Sequence, residues 1–224
     1  MGRHHGTNPS WPACSSQMRQ LSLCKPKTSV SRQEGSLIIY EHWGENRSGK
    51  TLLHALFGWF AYLAGMQVYC NCPQDPYTEE YVHIVRYPHI DYDPARLFQH
   101  NLINCYVITD QAEQVMDARL ANKTSVRNMG YFSYQAKKRL IEWHYDTVRI
   151  KNIELRVRLN PDFRIHTERV PHDYRQALKA IKVTIWPPEG AGEHDRVMYL
   201  VNPERFFPLY NHLVLVPPEE IKVK

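Results

Sequence analysis

The segment Gly44-Glu45-Asn46-Arg47-Ser48-Gly49-Lys50-Thr51 constrains this chain more than any other. It fits G-x-x-x-x-G-K-[ST], of which about 0.01 matches are expected by chance in a chain of 224 residues. The apolar run Leu37-Ile38-Ile39-Tyr40 precedes it and predicts a buried strand. After it, Leu52, Leu53, Ala55, Leu56, Trp59, Phe60 and Leu63 recur at a spacing that predicts a helix buried on more than one side, with Gly65 as its stop. Strand, loop and helix in that order aim backbone N–H groups and a helix N-terminus at phosphate.

The side chains then have separable tasks. Gly44 and Gly49 permit backbone shapes that a Cβ would hinder. Lys50 carries a flexible point charge for the β- and γ-phosphates, and Thr51 offers a hydroxyl to Mg2+. Glu45, Asn46, Arg47 and Ser48 form the loop between the glycines, and Leu52 follows it in the helix. ATP with Mg2+ is therefore the expected cofactor pair. A magnesium site needs a second anchor. The strand-like Cys105-Tyr106-Val107-Ile108-Thr109 ends on Asp110, the expected Walker B carboxylate. A Glu after that Asp would activate water, but here Gln111 follows, which holds water without taking its proton. Glu113 is the nearest carboxylate replacement.

The remaining pattern predicts a strand over Gln67 to Cys70 and an irregular insertion over 73–99 with a short helix near Pro94 to Gln99. Helices are expected over Gln114 to Leu120 and Val126 to Ile141, then strands near Trp143 to Arg149 and Asp162 to Arg169. A late β-pair is expected from Ala177 to Trp186 and Val197 to Asn202, around a turn at Pro187 to Asp195. The fold class is α/β: a central, mostly parallel sheet flanked by helices, with a small β-rich C-terminal extension. The expected division is a flexible arm over 1–34, a nucleotide-binding core over 35–170 and an extension over 171–224 packed on it. Trp43, just before the loop, is a candidate to stack on the base or to pack at the lip.

No apolar run reaches the roughly 18 residues a membrane-spanning helix needs, and no secretory leader is evident at the start. Five cysteines, an odd number, argue against a disulfide framework and fit a reducing, cytoplasmic setting. Cys70 and Cys72 form a C-x-C pair, with Cys105 elsewhere, but no fourth zinc ligand stands out at suitable spacing, so buried structural cysteines are expected. The net charge of +5 permits contact with nucleic acid without requiring it.

From Ser36 to about Asp162 the chain resembles the FtsK–HerA-like and zonula-occludens-toxin-type ATPases of phages and archaeal viruses. The P-loop helix is followed by Val68-Tyr69-Cys70-Asn71, like the group's V-Y-x-N strand. Asp110-Gln111-Ala112 stands for D-E-A, and Asp117-Ala118-Arg119 for D-x-R. Gln135-Ala136-Lys137-Lys138-Arg139 loosely matches Q-x-R-K. Tyr145 to Arg149 occupies the place of T-x-Q, with Arg149 where a γ-phosphate-sensing Gln would be. Ile153-Glu154-Leu155-Arg156-Val157-Arg158 lies where I-D-x-R-x-R should. The resemblance implies an ATP-driven motor that packages or moves double-stranded DNA, self-associated into a ring, with viral capsid or assembly proteins as further partners. The basic residues around and after the predicted helices read plainly as a solvated charged surface; among them Arg139, Arg156 and Arg158 are candidates for an arginine finger reaching a neighbouring subunit's nucleotide. Two alternatives stand beside the motor: a kinase for a nucleotide or other small molecule, and a nucleotide-gated scaffold with little hydrolysis.

Overall fold

The computed structural model describes residues 38–73, 82–187 and 195–211. The expected arm over 1–34, the start of the first strand, most of the turn over 187–195 and the charged tail over 217–224 lie outside the described residues.

Eight strands form one sheet in the order β3-β2-β4-β5-β1-β6-β7-β8. They are β1 Ile39–Trp43, β2 Gln67–Cys70, β3 Ile90–Asp91, β4 Cys105–Thr109, β5 Glu142–Thr147, β6 Phe163–Val170, β7 Ala180–Trp186 and β8 Arg196–Val201. The first six run parallel. The last two add as antiparallel neighbours beside β6, which is the expected β-rich extension. Helix α1 (Lys50–Leu63) and helix α2 (Thr124–Lys138) cover opposite faces, and a short α3 (Leu155–Arg158) packs near α2.

Burial on both faces explains why the parallel strands read as continuous apolar runs. Every residue of β4 is buried. Its Val107 joins Ile39, Trp143, Tyr145, Met129 and Phe132 in the α2-side core. Its Tyr106 and Ile108 join Val68, Cys70, Ala55 and Leu56 on the α1 side. Alternate residues thus serve opposite cores. Leu52, Leu53 and Leu56 of α1 are almost fully buried, each stabilising the fold by about 1.5–3 kcal/mol relative to an exposed side chain.

Helix α1 ends as its glycine predicts. Gly65 has φ +82°, its N–H donates to Tyr62 O, and the Met66 N–H donates to Ala61 O. One helix expectation needs correction. The segment Gln114 to Leu120 is not one helix but two short 3-10 turns, Ala112–Gln114 and Ala118–Leu120. The Asp117 carboxylate accepts from the Arg119 N–H at 2.8 Å and pairs with its guanidinium at 2.6 Å, so it caps a new turn where a helix would have continued. Helix α2 also begins and ends earlier than its apolar pattern indicates, and Leu140 follows it at φ +57°.

Candidate functional site

Strand β5 lies between β1, which leads into the P-loop, and β4, which ends at Asp110. The three strand ends therefore deliver the loop, Asp110 and Asp146 to one edge of the sheet. A cavity of about 1020 Å3 opens there. From the P-loop side it is lined by Asn46, Arg47, Gly49, Lys50, Thr51 and Leu52. Asp110, Gln111, Glu113 and Asp146 line its acidic side. Arg169, Tyr174, Leu178, Ile181, Tyr210 and Asn211 close it from later segments.

The loop's backbone needs its glycines. Gly44 sits at φ +149°, and a Cβ there would come within 2.5 Å of Thr167 O. Gly49 sits at φ +106°, where a Cβ would collide with the Ile181 side chain. Arg47 also adopts a left-handed conformation and is exposed. Ser48 is buried, its hydroxyl 2.7 Å from Thr167 Oγ1, which ties the loop to β6. Tyr174 Oη donates to Asn46 O at 2.9 Å and lies 3.2 Å from Glu45 Oε2, tying the loop's outer side to the segment after β6.

Lys50 is buried and its Nζ donates to Gly44 O and Glu45 O at 2.9 and 3.0 Å. Thr51 Oγ1 donates to Asp110 Oδ1 at 2.9 Å. Gln111 has φ +51°, and its N–H donates to Asp146 Oδ1 at 2.6 Å. Asp110 and Asp146 are both buried. Burial pushes the Asp110 carboxyl above its ordinary range, against the opposing effects of Thr51 and Lys50. Burial, and then the neighbouring Asp110 charge, push Asp146 up further. Glu113 adds to this repulsion, and its Oε2 is buried with no hydrogen-bond partner among the described residues. Unneutralised acidic oxygen beside a threonine hydroxyl is the donor set a hard divalent cation takes. These residues fit Mg2+, with Thr51 Oγ1 and Asp110 Oδ1 2.9 Å apart.

Two parts of this site escape a reading of the sequence. Asp146 belongs to a matched motif that gives it no role; only the insertion of β5 between β1 and β4 makes it a site residue. Asn71 closes the V-Y-x-N strand, and the fold gives it a task. Its Oδ1 accepts from the Asp110 N–H at 2.7 Å and its Nδ2 donates to Asp110 O at 2.9 Å. This bidentate clamp fixes the backbone that carries the carboxylate.

Other candidates lie elsewhere. Trp43 stacks on His166 with ring centroids 3.9 Å apart, and does not line the cavity. Arg139 caps the C-terminal end of α2, just before β5 begins, at the opposite end of the strands from the P-loop. Arg156 pairs with the buried Glu154 at 2.8 Å. Arg164, rather than Arg158, pairs with the buried Glu41, while the Arg158 carbonyl accepts from Arg164. Arg149 is exposed beyond the end of β5, where Val148 is the residue that lines the cavity. None of Arg139, Arg149, Arg156 and Arg158 lines the cavity of its own chain.

Parallel strands, a P-loop on the central strand and helices on both faces define the P-loop NTPase fold. Solved structures of the group that the motifs resemble share it. The N-terminal domain of zonular occludens toxin from Neisseria meningitidis matches with a TM-score of 0.50 and 14% identity, over 79% of this chain and 100% of that domain. The genome packaging NTPase B204 from Sulfolobus turreted icosahedral virus 2, solved with AMPPCP, matches with a TM-score of 0.50 and 15% identity, over 72% and 96%. A further solved ATPase domain matches with a TM-score of 0.50 and 8% identity, over 79% and 85%. No family model matches the sequence, and no curated protein matches it. Among the described residues no helix is long and apolar enough to cross a membrane.

Proposed function

We propose that this chain is a magnesium-dependent ATPase and acts as a viral-type motor that packages or moves double-stranded DNA. The observation that carries the reading is the convergence of Lys50, Thr51 and Asp110 on one cavity, with Thr51 bonded to Asp110 at 2.9 Å. Lys50 and the loop amides bind the β- and γ-phosphates. Thr51 and Asp110 hold Mg2+ directly or through its waters, and Asp146 adds the charge that favours a divalent ion. Gln111 orients the attacking water and Glu113, which lines the same cavity and has a buried carboxylate oxygen without a hydrogen-bond partner among the described residues, receives its proton. The apolar and aromatic wall of Leu178, Ile181, Phe207 and Tyr210 suits the nucleobase.

The same reading keeps the division into a core over 35–170 and an addition over 171–224, the addition closing one side of the cavity. The neighbours' printed roles, genome packaging among them, support the DNA-motor reading. In a ring, a cation from the adjacent copy completes the γ-phosphate site; Arg139 is better suited than Arg156, whose guanidinium is engaged by Glu154. Capsid or assembly proteins would be the further partners, and host cytoplasm the setting.

Phosphate release from Mg-ATP, measured with and without duplex DNA alongside the oligomeric state, tests the reading. DNA-stimulated hydrolysis by a ring is expected. A protein that stays monomeric with nucleotide and DNA, and whose hydrolysis DNA leaves unchanged, would rule out the motor. Phosphate appearing on an added acceptor would favour a kinase instead.

A further inference from the structure

A second constellation lies at the β3 edge of the sheet, away from the residues that line the cavity. Cys72 follows β2, His83 and His89 come from the segment leading into β3, and Asp91 lies in β3. One donor atom from each falls within 4.8 Å of every other. His89 Nε2 stands 3.4 Å from Cys72 Sγ, 3.1 Å from His83 Nδ1 and 3.1 Å from Asp91 Oδ1. His83 Nδ1 is 3.3 Å from the same Asp91 oxygen.

Hydrogen bonding serves only some of these contacts at once. The other nitrogen of His89, Nδ1, is 2.7 Å from Tyr87 O. A carbonyl oxygen only accepts, so Nδ1 carries a proton, and the ring in its neutral form turns its Nε2 lone pair toward the other three donors. A proton on Nε2 could serve one of them and not three. A cation at the centre serves all four. Bonds of about 2.0–2.3 Å around tetrahedral zinc set donor separations of about 3.3–3.6 Å, near the spacings seen here. The Tyr87 carbonyl is then the outer partner that fixes the ring of a ligating histidine. Cys72 Sγ also accepts from the Ile84 N–H at 3.2 Å, a bond suited to a thiolate.

We infer that Cys72, His83, His89 and Asp91 form a zinc site. One sulfur, two imidazole nitrogens and one carboxylate oxygen favour zinc over magnesium or calcium, which take oxygen. Four protein ligands close the coordination shell, so the role is structural. The ion pins the segment 82–91 to the end of β2. That segment pairs in turn with the chain's later part: Ile84 O accepts from the Asn211 N–H at 2.8 Å, and the Arg86 N–H donates to Leu209 O at 2.9 Å. Tyr210 and Asn211 line the cavity, so the zinc clip supports one of its walls. On the other side of Cys72 lies Asn71, the clamp on Asp110. Half of the His83 side chain is exposed, which gives the ion a route in.

The test is elemental analysis of the full chain purified without a histidine tag or chelator. About one zinc per chain is expected, falling to less than about a tenth in Cys72→Ser/His89→Ala. Cobalt(II) added to the metal-stripped wild-type protein should give the intense visible bands of tetrahedral coordination and a thiolate-to-cobalt charge-transfer band. Metal-poor protein that gives neither cobalt signal while its circular dichroism stays native would overturn the site and leave a hydrogen-bonded cluster. Zinc retained at full stoichiometry in the double variant would assign the metal to other residues and overturn it equally. Neither readout depends on nucleotide binding.

Discussion

The two sides of the cavity are built in different ways. The phosphate side is one stretch of chain, Gly44 to Thr51, shaped by its own glycines and by Lys50 reaching back to Gly44 O and Glu45 O, with Thr167 and Tyr174 holding it from outside. The acidic and aromatic side is assembled from residues up to about 100 positions apart: Asp110, Glu113, Asp146, Tyr174 and Tyr210. A contiguous loop carries its geometry with it. The assembled side depends on the sheet order and on clamps such as Asn71, so it should tolerate damage less predictably.

The largest effect expected from breaking the assembled side is chemical. Glu113→Gln keeps the shape and removes the proton acceptor, so kcat should fall about 10²–10⁴-fold while nucleotide affinity changes little. A steady-state assay checks this. An unchanged kcat would move the base to another residue, and a gain from Gln111→Glu would mark position 111 as that place.

A second effect concerns buried histidines on the elements that carry the two sides. His42 of β1, His54 of α1 and His144 of β5 are buried together, with His42 Nε2 2.9 Å from His144 Nδ1. Burial pushes all three below the ordinary imidazole value, with Glu142 opposing at His144 and Lys50 adding to the effect at His42 and His54. The folded protein keeps them neutral, whereas the unfolded chain protonates them below about pH 6.5. Their contribution to stability is thus present above about pH 6.5 and is lost as the pH falls below it, by up to about 1.4 kcal/mol per pH unit for each ring. Denaturant melts at pH 7 and 5.5 measure the slope, and His54→Asn should make it shallower.

Smaller effects follow at the clamps. Asn71→Ala removes both bonds to the Asp110 backbone and leaves its buried N–H without that partner, so stability should fall by about 1–3 kcal/mol, with kcat falling more than affinity. Tyr174→Phe removes the hydroxyl that ties the following segment to Asn46 O, at a cost of about 0.5–1.5 kcal/mol read in nucleotide affinity.

What the sequence makes legible follows the same division. The P-loop, the α1 helix with its Gly65 stop and the Asp110 strand can be read because each depends on neighbours in sequence or on simple periodicity. Asp146 cannot, since its place depends on β5 entering the sheet between β1 and β4. Nor can the partners of Cys72, because His83, His89 and Asp91 reach it only through the pairing of β3 with β2 and the segment leading into β3. The helix expected over Gln114 to Leu120 fails for a local reason, the capping of a fresh turn by Asp117. Trp43 stands out in the sequence without its partner, because His166 arrives from β6.

The central claim, that Gly44 to Thr51 is a working triphosphate site completed by distant carboxylates, is tested most directly by equilibrium binding of a non-hydrolysable ATP analogue with Mg2+ to the wild-type and Lys50→Ala proteins. The account predicts saturable binding of one nucleotide per chain, weakened about 100-fold or more by the substitution, with both proteins equally folded. Equal affinity in the two proteins would contradict it.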